Sequence, residues 1–203
     1  MTEEHVLAEA GVDFYRSTWR SIVRGMWSGA LSYEQAFDAA MTNISRGLTQ
    51  AWYEGAKEVG ILPADLTPEE RIALEQAKNS EMQYINGFLE HIEANSKANK
   101  GKLQPLFTRA EMWANRYNDV RNQAKLEANT DPKLEWQLNV VRGAVEHCSS
   151  CAKVAGKIKR ASTWAHSPWK PQARGLECKG FLCACGLVPT DKPLTRGRLP
   201  SFP

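Results

Sequence analysis

Five cysteines carry the clearest chemical signal in the sequence. They stand as Cys148-x-x-Cys151 and, 26 residues further on, as Cys178-x4-Cys183-x-Cys185. A C-x-x-C turn places two thiolates on one face of a tight knuckle, as a tetrahedral metal needs, and a second cysteine cluster can close the site. Such sulfur-rich donor sets suit zinc, and closure by four thiolates leaves no open position, so the expected role is structural. Four of the five cysteines Cys148, Cys151, Cys178, Cys183 and Cys185 are enough: the first pair, with two of the remaining three. His147 abuts Cys148, where chelating the same ion is awkward. Other readings stay open. Disulfides need an oxidising compartment. A redox C-x-x-C wants a βαβ context that this region lacks. The thiols can also be inert.

The other reactive types form no constellation. His5, His91, His147 and His166 are scattered and read as surface or cap residues. Glu111 and Asp119 lie eight apart and read as solvated carboxylates. Adjacent side chains diverge, which makes Cys148 and His147 a poor nucleophile–base pair. The chain is therefore not expected to be an enzyme. Trp164, Trp169 and Phe181 interleave with Lys157, Lys159, Lys170 and Lys179. That pattern suits single-stranded nucleic acid, with rings stacking on bases and ammonium groups on phosphates. The plainer reading makes the tryptophans the core of a small domain.

Charge and composition separate this region from the rest. The chain of 203 residues carries a net charge of +3. Residues 133–203 hold 12 basic and 4 acidic side chains, while residues 1–132 hold 14 and 19. All five cysteines fall in the basic part. Such asymmetry marks either a surface for nucleic acid or an acidic partner, or two modules of different kind. With 42% hydrophobic and 24% charged residues, the chain is neither wholly disordered nor collagen-like. No apolar run approaches the length of a membrane span. The opening Met1-Thr-Glu-Glu-His has neither the basic start nor the apolar middle of a signal peptide. The expectation is a chain that stays where it is made and meets no membrane.

The acidic part reads as helices. Tyr15, Trp19, Ile22 and Met26 recur at steps of four, three and four within a predicted helix over 2–26. Arg16, Arg20 and Arg24 form a second stripe, either a solvated face or a row for a neighbouring subunit or phosphate. Ser32-Tyr-Glu-Gln35 is a capping box that opens a second helix, with Phe37, Met41, Ile44, Leu48 and Trp52 as its apolar stripe and Gly60 and Pro63 as its stop. Thr67-Pro68-Glu69-Glu70 opens a third, whose later stripe is Met82, Ile85, Leu89 and Ile92. Residues 93–102 read as a loop or linker. A fourth helix, over 106–128, carries Leu106, Ala110, Trp113, Tyr117, Val120 and Ala124. The Asn129-Thr-Asp-Pro132 turn ends it.

Beyond it, the alternation in Leu134-Glu-Trp-Gln-Leu-Asn-Val140 predicts a half-buried strand, and frequent glycine and proline predict turns. The whole is mainly α, with a small, turn-rich, metal-stabilised α+β domain at the C-terminal end. The expected divisions are a helical bundle or arm over 1–132, a Cys-rich zinc domain over 133–190 and an extended Pro/Arg-rich tail over 191–203.

At these residues the chain resembles a known family. The pattern Trp136…Glu146-His147-Cys148-x-x-Cys151-x4-Gly156…Trp164…Pro171…Leu176-x-Cys178-x-Gly180-x-x-Cys183-x-Cys185-x-Leu187 is similar to the C-terminal module of tailed-bacteriophage minor head proteins. These include the Mu-type head morphogenesis proteins. Thr108-Arg-Ala-Glu111…Asn115…Asn118…Ala124 is similar to the helix that precedes the cysteines there. The likeness covers about residues 105–190. This sequence departs from the family's commonest form, in which His-Pro-x-Cys-Arg-Cys closes the site, by placing Cys178 five residues before Cys183. The resemblance implies a virion or head-assembly component, made in the host cytoplasm. Its expected partners are portal or capsid subunits, further copies of itself and packaged DNA. A nucleic-acid-binding zinc knuckle with a helical oligomerisation arm is the alternative.

Overall fold

The computed structural model describes residues 11–138, 147–180, 183 and 185–203. Residues 2–10 of the first predicted helix, with His5, lie outside the described residues. So do Asn139 and Val140 of the predicted strand, Gly143, Glu146 and Phe181. Among the described residues the protein is mainly helical with one small antiparallel sheet, as the sequence predicts. The helices are α1 (Val12–Ser28), α2 (Tyr33–Glu58), α3 (Pro68–Met82), α4 (Ile85–Ala94) and α5 (Leu103–Leu126). Strand β1 (Lys133–Gln137) follows, then α6 (Ser149–Val154), β2 (Ile158–Arg160), α7 (Ala161–Ala165) and β3 (Gly186–Pro189). The chain forms two compact units, residues 1–51 with 72–117, and residues 52–71 with 118–203.

The first unit is built on aromatic packing. Tyr15 and Trp19 of α1, Phe88 of α4, and Trp113 and Tyr117 of α5 are buried. The Trp19 and Trp113 rings stack at 4.9 Å, and Phe88 lies 4.5 Å from Trp113. The Ser32 capping box is formed, with the Gln35 amide donating to Ser32 Oγ at 3.2 Å and the Ser32 amide to Gln35 Oε1 at 3.0 Å. Along α2 the buried face starts at Ala36 and Ala40, not at Phe37 and Met41, which are only half-buried. Small residues win there because helices approach closely. A Cβ on Gly47 would overlap the Tyr15 ring.

Two expectations need correction here. The third predicted helix is two, broken at Gln83 and Tyr84. In an unbroken helix the Tyr84 amide would donate to the Ser80 carbonyl. The Gln83 side chain takes that carbonyl at 2.8 Å, and the Tyr84 amide turns to Glu81 instead. A side chain competing for the backbone ends the ladder. The arginine stripe of α1 is also not a free row. Arg16 and Arg20 both pair with Glu111, at 3.0 and 3.1 Å, and Arg20 and Arg24 lie over the Phe107 ring. Glu111 is thus held by two guanidinium groups, where the sequence suggested a solvated carboxylate.

The second unit holds the sheet, in the order β2-β1-β3 with both pairs antiparallel. Trp136, Trp164 and Trp169 are buried in its core, and the Trp164 indole donates to the Leu134 carbonyl at 3.0 Å. The Thr67 capping box also forms here, through Glu70, whose second oxygen accepts from the Asn129 amide. Leu187 of β3 faces Trp136 across the ladder and points its amide and carbonyl away from β1. The Leu187 amide donates to Asn122 Oδ1 at 3.1 Å, and its carbonyl accepts from Lys125 Nζ at 2.6 Å. Lys125 is nine-tenths or more buried, and its ammonium also meets Glu58 at 2.9 Å. Burial pulls its pKa below the ordinary lysine value, and the Glu58 carboxylate opposes that fall. Close approach of α2 to α5 is possible because position 55 is glycine, where a Cβ would overlap the Arg121 carbonyl.

Segment 190–203 is extended, and it docks on its own unit. The Thr195 amide donates to the Ile158 carbonyl, and the Ile158 amide to Thr195 Oγ1, both at 3.0 Å. The Trp169 indole donates to the Pro200 carbonyl at 2.9 Å, and Phe202 packs edge-on against Trp169 at 5.1 Å.

Lys125→Met removes both contacts of the ammonium and leaves the Leu187 carbonyl unmatched. The expected loss is about 3 kcal/mol, at the low end for a broken buried pair because Arg121 still holds Glu58. Denaturant unfolding followed by tryptophan fluorescence measures it.

Candidate metal centre

The first knuckle follows from one turn of chain. Cys148 caps α6 in an extended conformation, and its sulfur accepts the Cys151 amide at 3.4 Å. That N–H···S contact stabilises a thiolate on Cys148 and holds its sulfur over the first turn of α6. The start of α6 is tied to the second cysteine segment by a reciprocal pair. The Ser149 amide donates to Glu177 Oε2 at 2.7 Å, and the Glu177 amide donates to Ser150 Oγ at 3.1 Å. Cys178 follows immediately. After it, Lys179 and Gly180 both take the left-handed backbone, at φ of 51° and 71°, and turn the chain back toward Cys183. A Cβ on Gly180 would also overlap the Gln172 carbonyl, so position 180 is closed to other residues twice over.

These turns bring all five cysteines together. They are unpaired as disulfides, and their sulfurs form two overlapping triplets. Cys148, Cys151 and Cys178 make one; Cys151, Cys183 and Cys185 make the other. Within each, the sulfurs lie within 4.8 Å of one another. Cys151 belongs to both. Cys151, Cys183 and Cys185 are buried, while Cys148 and Cys178 are partly exposed. Such an arrangement could hold a metal ion, and the first cluster contributes both of its thiols, as expected from the spacing.

The electrostatics show why a cation fits. The Cys183 thiol is driven far below its ordinary value by hydrogen bonds from Cys151 and then Cys185. Cys151 is pushed far above it by donating to Cys183 and Cys185, and by burial. Burial pushes Cys178 up to about 12. For Cys148, burial raises the pKa, but bonds from the amides and thiols of Cys151 and Cys178 outweigh it and the net shift is downward. Without a cation, the first thiolate to form therefore suppresses its neighbours. A bound dication reverses that, since each thiolate then faces opposite charge.

The four lysines of the aromatic interleaving differ in their surroundings. Trp164 and Trp169 are core residues, so the core reading of those rings holds. The Lys159 ammonium is bound to the Thr195 and Gly197 carbonyls, each at 2.7 Å. Lys170 and Lys179 are exposed and Lys157 is half-buried. His166 bonds the Ser162 carbonyl through Nδ1. Four residues that hold the cysteines were not singled out from sequence: Asn122, Ser150, Gln172 and Glu177. Asn122 stands in the polar run Asn118-Asp-Val-Arg-Asn-Gln-Ala-Lys125, where nothing in the sequence sets it apart from its neighbours.

No family model, no curated protein and no solved structure matches the chain.

Two outcomes follow from this geometry. Cys151→Ser, which removes a sulfur from both triplets, should abolish stoichiometric metal binding and unfold the small domain, leaving most of the helical circular dichroism. Cys185→Ser should do less on both counts. Metal analysis and tryptophan emission report the difference. Second, because thiols held protonated above neutral pH must lose protons on binding, metal affinity should climb with pH. A chelator competition at pH 6 and pH 8 reads the slope.

Proposed function

We propose that this chain is a minor head or head-assembly protein of the tailed-bacteriophage kind, with a small C-terminal domain held by one structural zinc ion. The observation that carries the reading is the convergence of all five cysteines on two triplets that share Cys151, within the segment whose residues resemble that family. Zinc–thiolate bonds of about 2.3 Å put the sulfurs of a tetrahedral site about 3.8 Å apart, which triplets within 4.8 Å reach by small shifts. A triplet supplies three ligands and the other triplet the fourth. When bound, the ion offers no open position for substrate and acts as a cross-link. Three strands of three to five residues give a small core, and an internal cross-link offsets much of the entropy of ordering it.

The partners proposed are portal or capsid subunits and further copies of the chain. Packaged DNA near the basic domain belongs to the same proposal. For the nucleic-acid-binding alternative, Trp164 and Trp169 are buried in the core and Lys159 is bound to the Thr195 segment, so its main support is the basic charge of residues 133–203.

Protein purified under reducing conditions without added zinc should carry about one zinc per chain, with about one thiol still reactive. No metal and five reactive thiols would remove the basis of the reading. The chain should also co-purify with portal or capsid subunits from particles. Steeply salt-dependent DNA binding without particle association would favour the alternative.

A further inference from the structure

Gln172 stands at the meeting point of three segments. Its side-chain nitrogen donates to the Cys185 carbonyl at 2.7 Å and to the Cys183 carbonyl at 3.4 Å. Its side-chain oxygen accepts from Asn122 Nδ2 at 3.0 Å. Asn122, buried on α5, uses its own oxygen for the Leu187 amide at 3.1 Å. The Gln172 backbone is left-handed, at φ 63°, and its carbonyl packs against Gly180 between Cys178 and Cys183. An ordinary loop glutamine has no reason to adopt a left-handed backbone, which is rare without glycine. Here it turns the amide inward.

We propose that Gln172 is the positioning residue of the metal centre and that, through Asn122, it makes metal binding and the docking of the α5 segment 118–126 one coupled event; this rests on the metal reading above. The chemistry of the two amides dictates the direction of the relay. Each amide accepts through oxygen and donates through nitrogen. The chain of bonds runs from the Leu187 amide to Asn122, from Asn122 to Gln172, and from Gln172 to the carbonyls of the C-x-C turn. A carboxylate at either place has no donor and breaks it. Holding both carbonyls of Cys183 and Cys185 fixes the peptide planes of that turn, and so the direction in which the two sulfurs leave it. Both sulfurs must reach Cys151. Partners of this kind, one bond removed from the ligands, commonly change metal affinity 10–100-fold.

The test uses the full chain and Co(II) as the probe, read by its thiolate charge-transfer absorption. Gln172→Glu and Gln172→Met keep the size and remove the donors; Asn122→Asp removes the other. Each should weaken Co(II) binding by about 10–100-fold while the helical circular dichroism stays unchanged. In the unaltered chain, metal should also slow hydrogen exchange of the amides in 118–126, and Asn122→Asp should abolish that protection. The second measurement needs no variant to be informative. Metal protection confined to residues 147–185 would overturn the coupling. Binding by the unaltered chain that is matched by all three variants would overturn the positioning role and leave the metal reading intact. No Co(II) binding by the unaltered chain would overturn both.

Discussion

The second unit depends on how the outward backbone groups of Leu187 are met. Strand β3 pairs with β1 on one side only, and an unpaired strand edge is a row of unmet donors and acceptors. At Leu187 those groups are buried, so water is not the answer. Two side chains of α5 substitute for a fourth strand, Asn122 for the amide and Lys125 for the carbonyl. The second choice is expensive, since an ammonium loses its water there. Glu58 makes it tolerable, and Arg121 in turn holds Glu58. The last turns of α5 therefore supply the two polar side chains that hold β3 in place.

The cysteine cluster grows from that placement. Cys185 immediately precedes β3, so placing Leu187 places the end of the C-x-C turn. Glu177 does the same from the other side by bonding the start of α6 and leading directly into Cys178. The sulfurs are thus positioned mainly by backbone bonds, and the thiols themselves supply repulsion once more than one ionises. Backbone geometry brings the donors together and a cation would make their ionisation favourable.

Local signals were legible in the sequence where one residue decides the outcome. Ser32 with Gln35 and Thr67 with Glu70 form the capping boxes their spacing implies. The α1 and α5 stripes are buried as their periodicity predicts. The C-x-x-C knuckle and the alternation through Leu134 and Trp136 also appear as read. What was not legible depends on residues distant in sequence. The break at Gln83 comes from a side chain that outcompetes an amide for one carbonyl, in a stretch whose apolar periodicity runs on unbroken. Glu111 looks solvated until Arg16 and Arg20, more than 90 residues away, are placed beside it. Gln172 resembles any loop glutamine until its amide finds two cysteine carbonyls. Phe37 and Met41 lose the core to Ala36 and Ala40 because helix spacing, which periodicity does not encode, favours the small side chains.

The other side of the sheet is finished differently. Ile158 points its amide and carbonyl outward from β2, and Thr195 meets both, one through its hydroxyl and one through its backbone. The contact is short, and it is made by a segment without regular structure, fastened further along by Trp169 and Phe202. A strand completed by a strap of this kind keeps a latent adhesive edge. If the strap lifts while the sheet persists, the Ile158 groups become a template for any extended segment that can match them, including the same strap from another copy. One segment then decides whether the domain remains solitary or exchanges parts with its neighbours.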